Sequence, residues 1–306
     1  MSEVYRKRGI LARAIGFGCL CPILLFGVNF QARQVKPAGP WLDHWRLSTF
    51  SSGVEKKDQN QKSFFAVIGT GFFAGLDDKS GYMVTAKHVF SDPSQNWEPA
   101  ELRIRYSWEE HESVYDDLGT IVRLKDASGK NLWTPGPDGA DVAALAPQAH
   151  VKDGLIDEVI AANFATKDDV FEGATVIVIG YPGIVGNEYL VRSVIRSGII
   201  AWTDPNSPLE KPLLIDSNIF PGNSGGPVIR VPVGLSREGT AFGQGLPSLL
   251  DLISKAPSQE TDLELRVPGY VDPLRFRSQT VGIGGIGVVE PASAIQKLLQ
   301  SVPKTL

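Results

Sequence analysis

Short apolar runs, broken by glycine, proline, asparagine and aspartate, follow one another along most of the chain from Ser63 onward. These runs are rich in β-branched residues and are only four to ten residues long. Regular short strands with turn residues between them are typical of a β-sandwich or β-barrel. The runs that predict strands are Phe64–Ile68, Gly71–Ala74, Tyr82–Thr85, Leu102–Tyr106, Thr120–Leu124, Val142–Leu145, Thr175–Ile179, Val191–Ile200 and Leu213–Asp216.

Helical periodicity is scarce in this sequence. Ala292–Leu299 has the best helical spacing, and Ile156–Phe164 and Ser248–Lys255 are weaker candidates. Trp41–Phe50 is interpreted as a short helix or strand that packs its aromatic side chains. The pattern as a whole predicts an all-β protein with a short helix near its C-terminus.

Residues 233–278 differ in character from the runs around them. They contain several charged residues, repeated prolines and few strand-like runs. A stretch of this length is too short to bury a good core of its own. We therefore predict an insertion within the second half of the fold, not a separate domain.

The N-terminal segment, residues 1–34, combines a basic start with an apolar stretch. Basic residues at 6–8 and Arg13 precede Ala14–Phe30, which has no charged residue. This is the layout of an export signal, and the apolar stretch is at the short end of what spans a bilayer. A removable signal and a retained membrane anchor both fit, with a buried helix as a third alternative. In the first two cases the body is expected outside the cytoplasm, periplasmic or secreted, with the anchor tethering it to the inner membrane.

Composition limits the classes of function. A hydrophobic share of 42% with 21% charged residues fits a folded globular protein. The first 35 residues have five basic residues and one acidic residue, a balance of +4, so the remainder sums to −8 within the net charge of −4. An acidic body gives no electrostatic reason to bind nucleic acid. The only cysteines are Cys19 and Cys21, so neither a disulfide framework nor a cysteine zinc site is expected, and no metal or other cofactor is implied.

Ser224 lies in the string Pro221-Gly222-Asn223-Ser224-Gly225-Gly226-Pro227. A serine hydroxyl becomes a useful nucleophile when the backbone exposes it and a base removes its proton. Glycines on both sides allow a tight turn, which can direct the amides of Gly222 and Ser224 at one developing oxyanion. An ordinary glycine-rich turn between strands is the alternative interpretation.

The chain has four histidines from which to choose a base. His88 follows Gly-Tyr-Met-Val-Thr-Ala-Lys, where a predicted strand runs into a turn. His44, His111 and His150 lie in charged or linker-like stretches and are interpreted as surface residues.

The carboxylate that would orient this base is predicted at Asp141. It opens Asp-Val-Ala-Ala-Leu-Ala, directly after a glycine- and proline-rich turn. An acid at the start of an apolar strand can point inward and still avoid isolation in the core. Asp138 is the nearest competitor, but its position inside the turn is explained by solvent exposure. Other acids, among them Asp116, Asp117 and Asp153, are also available by count.

Taken together, these motifs resemble the chymotrypsin-fold, trypsin-like serine proteases, in particular the bacterial trypsin-like and HtrA-type peptidases. The residues that carry the resemblance are His88 in Thr-Ala-Lys-His, Asp141 in Asp-Val-Ala-Ala-Leu and Ser224 in Gly-Asn-Ser-Gly-Gly-Pro. They occur in the family's order, His then Asp then Ser. Gly69-Thr70-Gly71-Phe72-Phe73 and Val178-Ile179-Gly180-Tyr181-Pro182 agree with the same family.

The resemblance implies two packed antiparallel β-barrels with the active site between them. The protease domain would cover residues 41–300, with barrel one at about 45–150 and barrel two at about 165–300. His88 and Asp141 would belong to the first barrel and Ser224 to the second. The implied activity is a serine endopeptidase that forms an acyl-enzyme, with the amides of Gly222 and Ser224 binding the oxyanion and proteins or peptides as substrates.

Departures from the family limit what the resemblance implies. Asn223 replaces the aspartate that receives a new N-terminus in digestive members, so that mode of activation is not expected. The sequence after the last predicted helix leaves no room for a PDZ domain. By analogy, Asn218 lies near the floor of the substrate pocket, and Thr280–Ile283, with Val281 and Ile283, forms the strand that pairs with substrate.

Two other functions remain open at this stage. A catalytically silent or trigger-dependent barrel could bind extended peptides, although a complete set of three groups would then be unnecessary. An esterase could use the same groups. Gly222-Asn223-Ser224-Gly225-Gly226 has the letters Gly-x-Ser-x-Gly, but it is interpreted as a different turn from the strand–helix elbow of those enzymes.

Overall fold

The fold is known from a computed structural model. The structure describes residues 41–76, 81–110, 114–147, 160–161, 163–184, 192–232, 234–235, 241–242, 247–256, 258–265, 274–281 and 285–302. These residues all belong to one compact unit, Ala38–Leu306. Both the predicted N-terminal segment, 1–34, and its cysteines lie outside the described residues.

The first half of this unit is an eight-stranded sheet. Its strands are β1 (Thr49–Lys57), β2 (Ser63–Gly75), β3 (Tyr82–Thr85), β4 (Glu101–Glu110), β5 (Val114–Arg123), β6 (Trp133–Pro135), β7 (Ala143–Leu145) and β8 (Ile160–Ala161). The strand order is β5-β4-β1-β2-β3-β7-β6, and β8 pairs in parallel with β2 whereas the other pairs are antiparallel. The long strand β2 covers two predicted runs, Phe64–Ile68 and Gly71–Ala74, because the glycines between them continue the ladder.

The second half is a closed six-stranded barrel. Its strands are β9 (Thr175–Gly180), β10 (Val194–Trp202), β11 (Leu213–Asp216), β12 (Pro227–Arg230), β15 (Ser248–Lys255) and β18 (Ile286–Pro291). They follow the order β10-β11-β18-β15-β12-β9, and all the pairs are antiparallel. Closure removes the sheet edges that would otherwise expose unpaired backbone groups.

Two short hairpins lie outside these two sheets. One pairs β13 (Gly234–Leu235) with β14 (Ala241–Phe242), and the other pairs β16 (Ser258–Leu265) with β17 (Leu274–Val281). The described helices are α1 (Trp41–Leu47), α2 (Lys87–Phe90) and α3 (Ala292–Ser301). Three short 3-10 turns occur at Pro93–Gln95, Pro137–Gly139 and Lys167–Asp169.

One hydrophobic core runs from the first sheet into the second half. It joins Phe50 and Phe72 of the first sheet to Ile229 and Leu252 of the barrel, and to Leu298 of α3. A second core fills the barrel itself, with Val178, Ile215 and Val228 among its members. The C-terminal helix predicted at Ala292–Leu299 is confirmed as α3, and its apolar side packs against this shared core.

One weak helix prediction is wrong. Ser248–Lys255 is the barrel strand β15, whose first seven residues are all buried. Leu249, Leu250, Leu252 and Ile253 have the spacing of an amphipathic helix, but a strand covered on both faces has no alternation to distinguish it. Part of the predicted insertion, 233–278, is therefore a strand of the barrel, and the hairpins β13–β14 and β16–β17 lie on either side of it in the chain.

Two other expectations concern segments that the structure covers only in part. Of the weak helix candidate Ile156–Phe164, the described Ile160–Ala161 form β8, and most of the rest lies outside the described residues. Trp41–Phe50 divides into α1 and the start of β1. Among the helices that the structure describes, none has the length and apolar character needed to cross a membrane.

Candidate active site

His88 and Asp141 form a tight pair at the edge of the first sheet. The imidazole Nδ1 lies 2.7 Å from the Asp141 Oδ2, and the His88 backbone N–H donates to Oδ1 at 3.0 Å. Both side chains are partly open to solvent, 34% for His88 and 26% for Asp141. A carboxylate in this position holds the imidazole in one orientation and stabilises its cation, leaving Nε2 to exchange a proton.

Strand pairing explains why two residues 53 positions apart meet. Strand β3 ends at Thr85, which pairs with Ala143 at the start of the antiparallel β7. His88 follows that strand end on the single turn of α2, and Asp141 precedes β7 by two residues. The Lys87 N–H also donates to the Asp141 carbonyl at 3.2 Å. The acid predicted at the start of an apolar strand therefore lies where the histidine can reach it.

Ser224 lies half-buried in a tight turn that leads from β11 to β12. The turn needs glycine at two places: Gly222 has a φ of +95° and Gly225 a φ of +86°. Space excludes a side chain there as well. A Cβ on Gly222 would lie 2.5 Å from the Tyr181 carbonyl oxygen, and one on Gly225 would lie 2.1 Å from that of Thr70.

The serine turn packs against the strand end that carries His88. A Cβ on Gly225 would lie 2.2 Å from the Thr85 hydroxyl and 2.8 Å from the Ala86 nitrogen, so these groups almost touch the turn. The Ser224 carbonyl in addition accepts the Thr70 N–H of β2 at 2.7 Å. Ser224 is thereby held at the same junction between sheet and barrel as His88 and Asp141.

Two amides of this turn are unused in the described part of the chain. The N–H groups of Gly222 and Ser224 have no acceptor there, whereas those of Asn223, Gly225 and Gly226 all donate to backbone carbonyls. Buried backbone donors are nearly always paired in native proteins. Two unpaired donors that flank one residue beside a serine hydroxyl suit a substrate oxygen that becomes negative during reaction.

The Asp141 carboxylate accepts a third hydrogen bond, from a residue of the barrel. The Ser254 hydroxyl, near the end of β15, donates to Oδ2 at 2.7 Å. Burial by itself raises the pKa of Asp141, but the hydrogen bonds and charge of His88, with the Ser254 bond, outweigh it and leave the pKa below its ordinary value. The group is therefore an anion at neutral pH, as orientation of an imidazolium requires.

Two further carboxyl groups lie behind this centre. Burial raises the pKa of Glu290, and the negative charge of Asp141 raises it further, although the Asp141 N–H donates to it. Asp251 is fully buried in β15 and accepts the Ala292 N–H at 3.0 Å, while its Oδ2 has no partner among the described residues. Burial raises its pKa well above the ordinary value.

The structure describes only part of the predicted substrate-binding set, Asn218, Val281 and Ile283. Asn218 is exposed, its carbonyl accepts a hydrogen bond from Arg196, and its Oδ1 lies 3.3 Å from the Cβ position of Gly285. Val281 ends β17, a hairpin strand that pairs with β16. Ile283 lies outside the described residues.

Sequence reasoning missed two residues of this site. Ser254 lay in a stretch interpreted as an insertion, and its partner Asp141 is 113 residues away in the chain, so no local signal indicated the contact. Thr70 lies between two glycines in Gly69-Thr70-Gly71, a string noted for its resemblance without a role for its hydroxyl. Among the described residues no group of His, Cys, Asp and Glu could hold a metal ion.

Comparison with known proteins identifies the fold family. The family model of the trypsin-like peptidase domain matches residues 69–232, more than half of the 306-residue chain. A search of curated proteins found no match. The matched range includes His88, Asp141 and Ser224, and the predicted all-β architecture with a short C-terminal helix is confirmed. The chain belongs to the trypsin-like peptidase family.

Proposed function

We propose that this protein is a serine endopeptidase in which His88, Asp141 and Ser224 act together. The observation that carries the proposal is the turn of Ser224. This turn contains two amide donors that have no acceptor among the described residues. It packs against the strand end that leads to a histidine oriented by a carboxylate. Membership of a peptidase family makes proteins or peptides the expected substrates.

The geometry supports acyl transfer in two halves. The Ser224 Oγ attacks the peptide carbonyl as its proton passes to His88 Nε2, and the carbonyl oxygen becomes an anion between the Gly222 and Ser224 amides. When the C–N bond breaks, His88 returns the proton to the leaving amine. Water then attacks the acyl-enzyme, its proton passes to His88, and the released Ser224 oxygen takes that proton back. Asp141 stays ionised throughout and stabilises the imidazolium.

The test is covalent labelling by a fluorophosphonate probe, which reports an activated serine without knowledge of the natural substrate. We expect the purified protein to be labelled, and Ser224→Ala to abolish labelling. We expect His88→Ala to slow it by about 10⁴-fold, the usual cost of losing a member of such a triad. Cleavage of fluorescent casein should disappear in the same two variants.

Matched controls separate chemistry from folding. Ser207→Ala removes a hydroxyl from the turn that follows β10, and His44→Gln replaces the histidine of α1. Both variants should be labelled at the normal rate. If the unmutated protein is not labelled, with or without added peptides, the silent peptide-binding alternative replaces the enzyme. Labelling that persists in Ser224→Ala would show that another residue is the nucleophile.

The site of action is proposed outside the cytoplasm, on the sequence of residues 1–34 alone. A basic start followed by an apolar stretch favours export, with or without a retained membrane tether. Fractionation of cells expressing the full chain should find it outside the cytoplasm, and N-terminal sequencing should distinguish a cleaved signal from an anchor. Recovery in the cytoplasmic fraction would contradict the proposal.

A further inference from the structure

Thr70 is a fully buried polar residue in the long strand β2, at the point where the first sheet meets the serine turn. It pairs with Ser51 of β1 on one side. Its N–H and hydroxyl contact the second half of the molecule, and its carbonyl contacts Thr85 of β3. No step of the chemistry described above uses it.

Every polar group of Thr70 outside the ladder is engaged at this junction. Its hydroxyl donates to the Gly222 carbonyl at 2.7 Å and accepts the Tyr181 N–H at 2.9 Å. Its N–H donates to the Ser224 carbonyl at 2.7 Å, and its carbonyl accepts the Thr85 hydroxyl at 2.6 Å. Because the Tyr181 N–H donates to the hydroxyl oxygen, the hydroxyl hydrogen is directed at Gly222.

These bonds fix two peptide groups of the serine turn. The bond to the Gly222 carbonyl holds the peptide between Gly222 and Asn223, and the bond to the Ser224 carbonyl holds the peptide that follows the serine. The peptide that carries the Ser224 N–H lies between them. Its carbonyl, that of Asn223, accepts the Gly226 N–H at 2.9 Å. This peptide is therefore held directly by one hydrogen bond and on both sides through the peptides that Thr70 binds.

Gly222 is the part of the turn that most needs such a restraint. Glycine adopts many backbone conformations at small cost, and the φ of +95° at Gly222 is only one of them. Its carbonyl is bound by Thr70, and the carbonyl of the preceding Pro221 is bound by the Gly183 N–H at 2.8 Å. The peptides on both sides of the Gly222 α-carbon are therefore held, and with them the Gly222 N–H.

We propose that Thr70 is a positioning residue, whose hydroxyl holds the serine turn in the conformation that leaves the Gly222 and Ser224 amides free for the oxyanion. The inference rests on the proposed function of those amides. Thr70 does not contact the substrate in this scheme. It acts through the turn, and its contribution is realised when negative charge develops on the carbonyl oxygen.

The test compares the rate and the extent of fluorophosphonate labelling in Thr70→Val and Thr70→Ser. Valine keeps the shape of threonine and all its backbone bonds but removes the hydroxyl. The extent of labelling reports how much protein is folded and competent, and the pseudo-first-order rate reports the chemistry. We expect labelling 10- to 100-fold slower in Thr70→Val, since loss of an oxyanion donor outright costs about 10²–10³-fold. Thr70→Ser, which keeps the hydroxyl, should label within about threefold of the normal rate.

Thr49→Val is the matched control. Thr49 is a fully buried threonine of β1 whose hydroxyl donates to the Trp45 carbonyl at 2.6 Å. Loss of this buried hydrogen bond should lower the Tm without changing the labelling rate. If Thr70→Val does not fold, Thr70→Cys, a weaker donor of similar size, takes its place with the same expected order of rates.

The outcomes are distinguishable. A normal labelling rate in Thr70→Val, or an equal slowing in Thr70→Val and Thr70→Ser, overturns the role of the hydroxyl and leaves the proposed enzyme intact. An equal slowing in Thr49→Val also overturns it, because general destabilisation would then explain the effect. Absence of labelling in the unmutated protein overturns the proposed function, and this inference with it.

Discussion

Asp141 receives hydrogen bonds from residues on both sides of the junction. His88 donates from its backbone and shares the Nδ1 proton, and Ser254 donates from the barrel. The three bonds offset the cost of burying the charge and lower its pKa. At the scale of single residues, the site therefore depends on how well one carboxylate is surrounded by donors.

Removing the charge should cost far more than removing one donor. Asp141→Asn should slow fluorophosphonate labelling by about 10⁴-fold, since an amide favours the wrong histidine tautomer. Ser254→Ala should slow it by about 10-fold, because a hydrogen bond to a charged group contributes about 1.5–3 kcal/mol and the two His88 bonds remain. Equal losses in the two variants would contradict this order. Labelling rates at one pH, with circular dichroism to confirm folding, provide the comparison.

The motifs that resemble the trypsin-like peptidases, each beside an apolar strand, predicted His88 and Asp141. Pairing of β3 with β7 brings the two residues together. Ser254 escaped prediction for a physical reason. It lies on a strand buried on both faces, and its partner is 113 residues away, so no local pattern reports the contact. The substrate residues Asn218, Val281 and Ile283 rested on analogy alone and stay predictions.

At the scale of elements, the serine turn is defined by crowding as much as by backbone conformation. Gly225 has a positive φ and no room for a side chain, with the Thr70 carbonyl in the way. Gly173 has almost the same φ, +87° against +86°, yet no atom lies within 4 Å of its Cβ position. The two glycines thus separate the cost of conformation from the cost of packing.

Alanine at these two positions should have different effects. Gly173→Ala should destabilise the protein by about 1–2 kcal/mol, the cost of a left-handed conformation for a residue with a Cβ. Gly225→Ala adds a steric overlap that costs a further 1–3 kcal/mol or so, and it should displace the turn. Chemical denaturation measures the free energy of unfolding of the two variants. Probe labelling should be lost only in Gly225→Ala. Similar stabilities for the two variants would show that the turn relaxes without strain.

At the scale of the whole molecule, buried acids make stability depend on pH. Asp251 has a raised pKa in the folded protein, so the folded state favours its protonated form. Its contribution to stability is complete below the unfolded pKa, about 3.9, and is lost as the pH rises through the folded value. Asp141 has a lowered pKa and acts in the opposite direction, losing its contribution at acid pH.

Asp251→Asn should remove the loss of stability that Asp251 causes as the pH rises. The asparagine keeps an oxygen for the Ala292 N–H and does not ionise. The Tm of the variant relative to the unmutated protein should therefore rise between pH 4.5 and pH 8. Each kcal/mol corresponds to about 2–4 °C in a protein of this size. Asp168→Asn, which neutralises an exposed carboxylate, is the control. A difference in Tm that does not change with pH would show that Asp251 does not titrate in this range.

The position of Ser254 has a consequence for the order in which the protein is made. The ribosome completes His88 and Asp141 well before it reaches β15, and domains generally fold from the N-terminus during synthesis. A nascent chain that has only its first sheet has neither the serine turn nor the donor that completes the surroundings of Asp141. Proteolytic competence would then arise only once the barrel closes around β15 and β18, so an unfinished chain could not attack its neighbours.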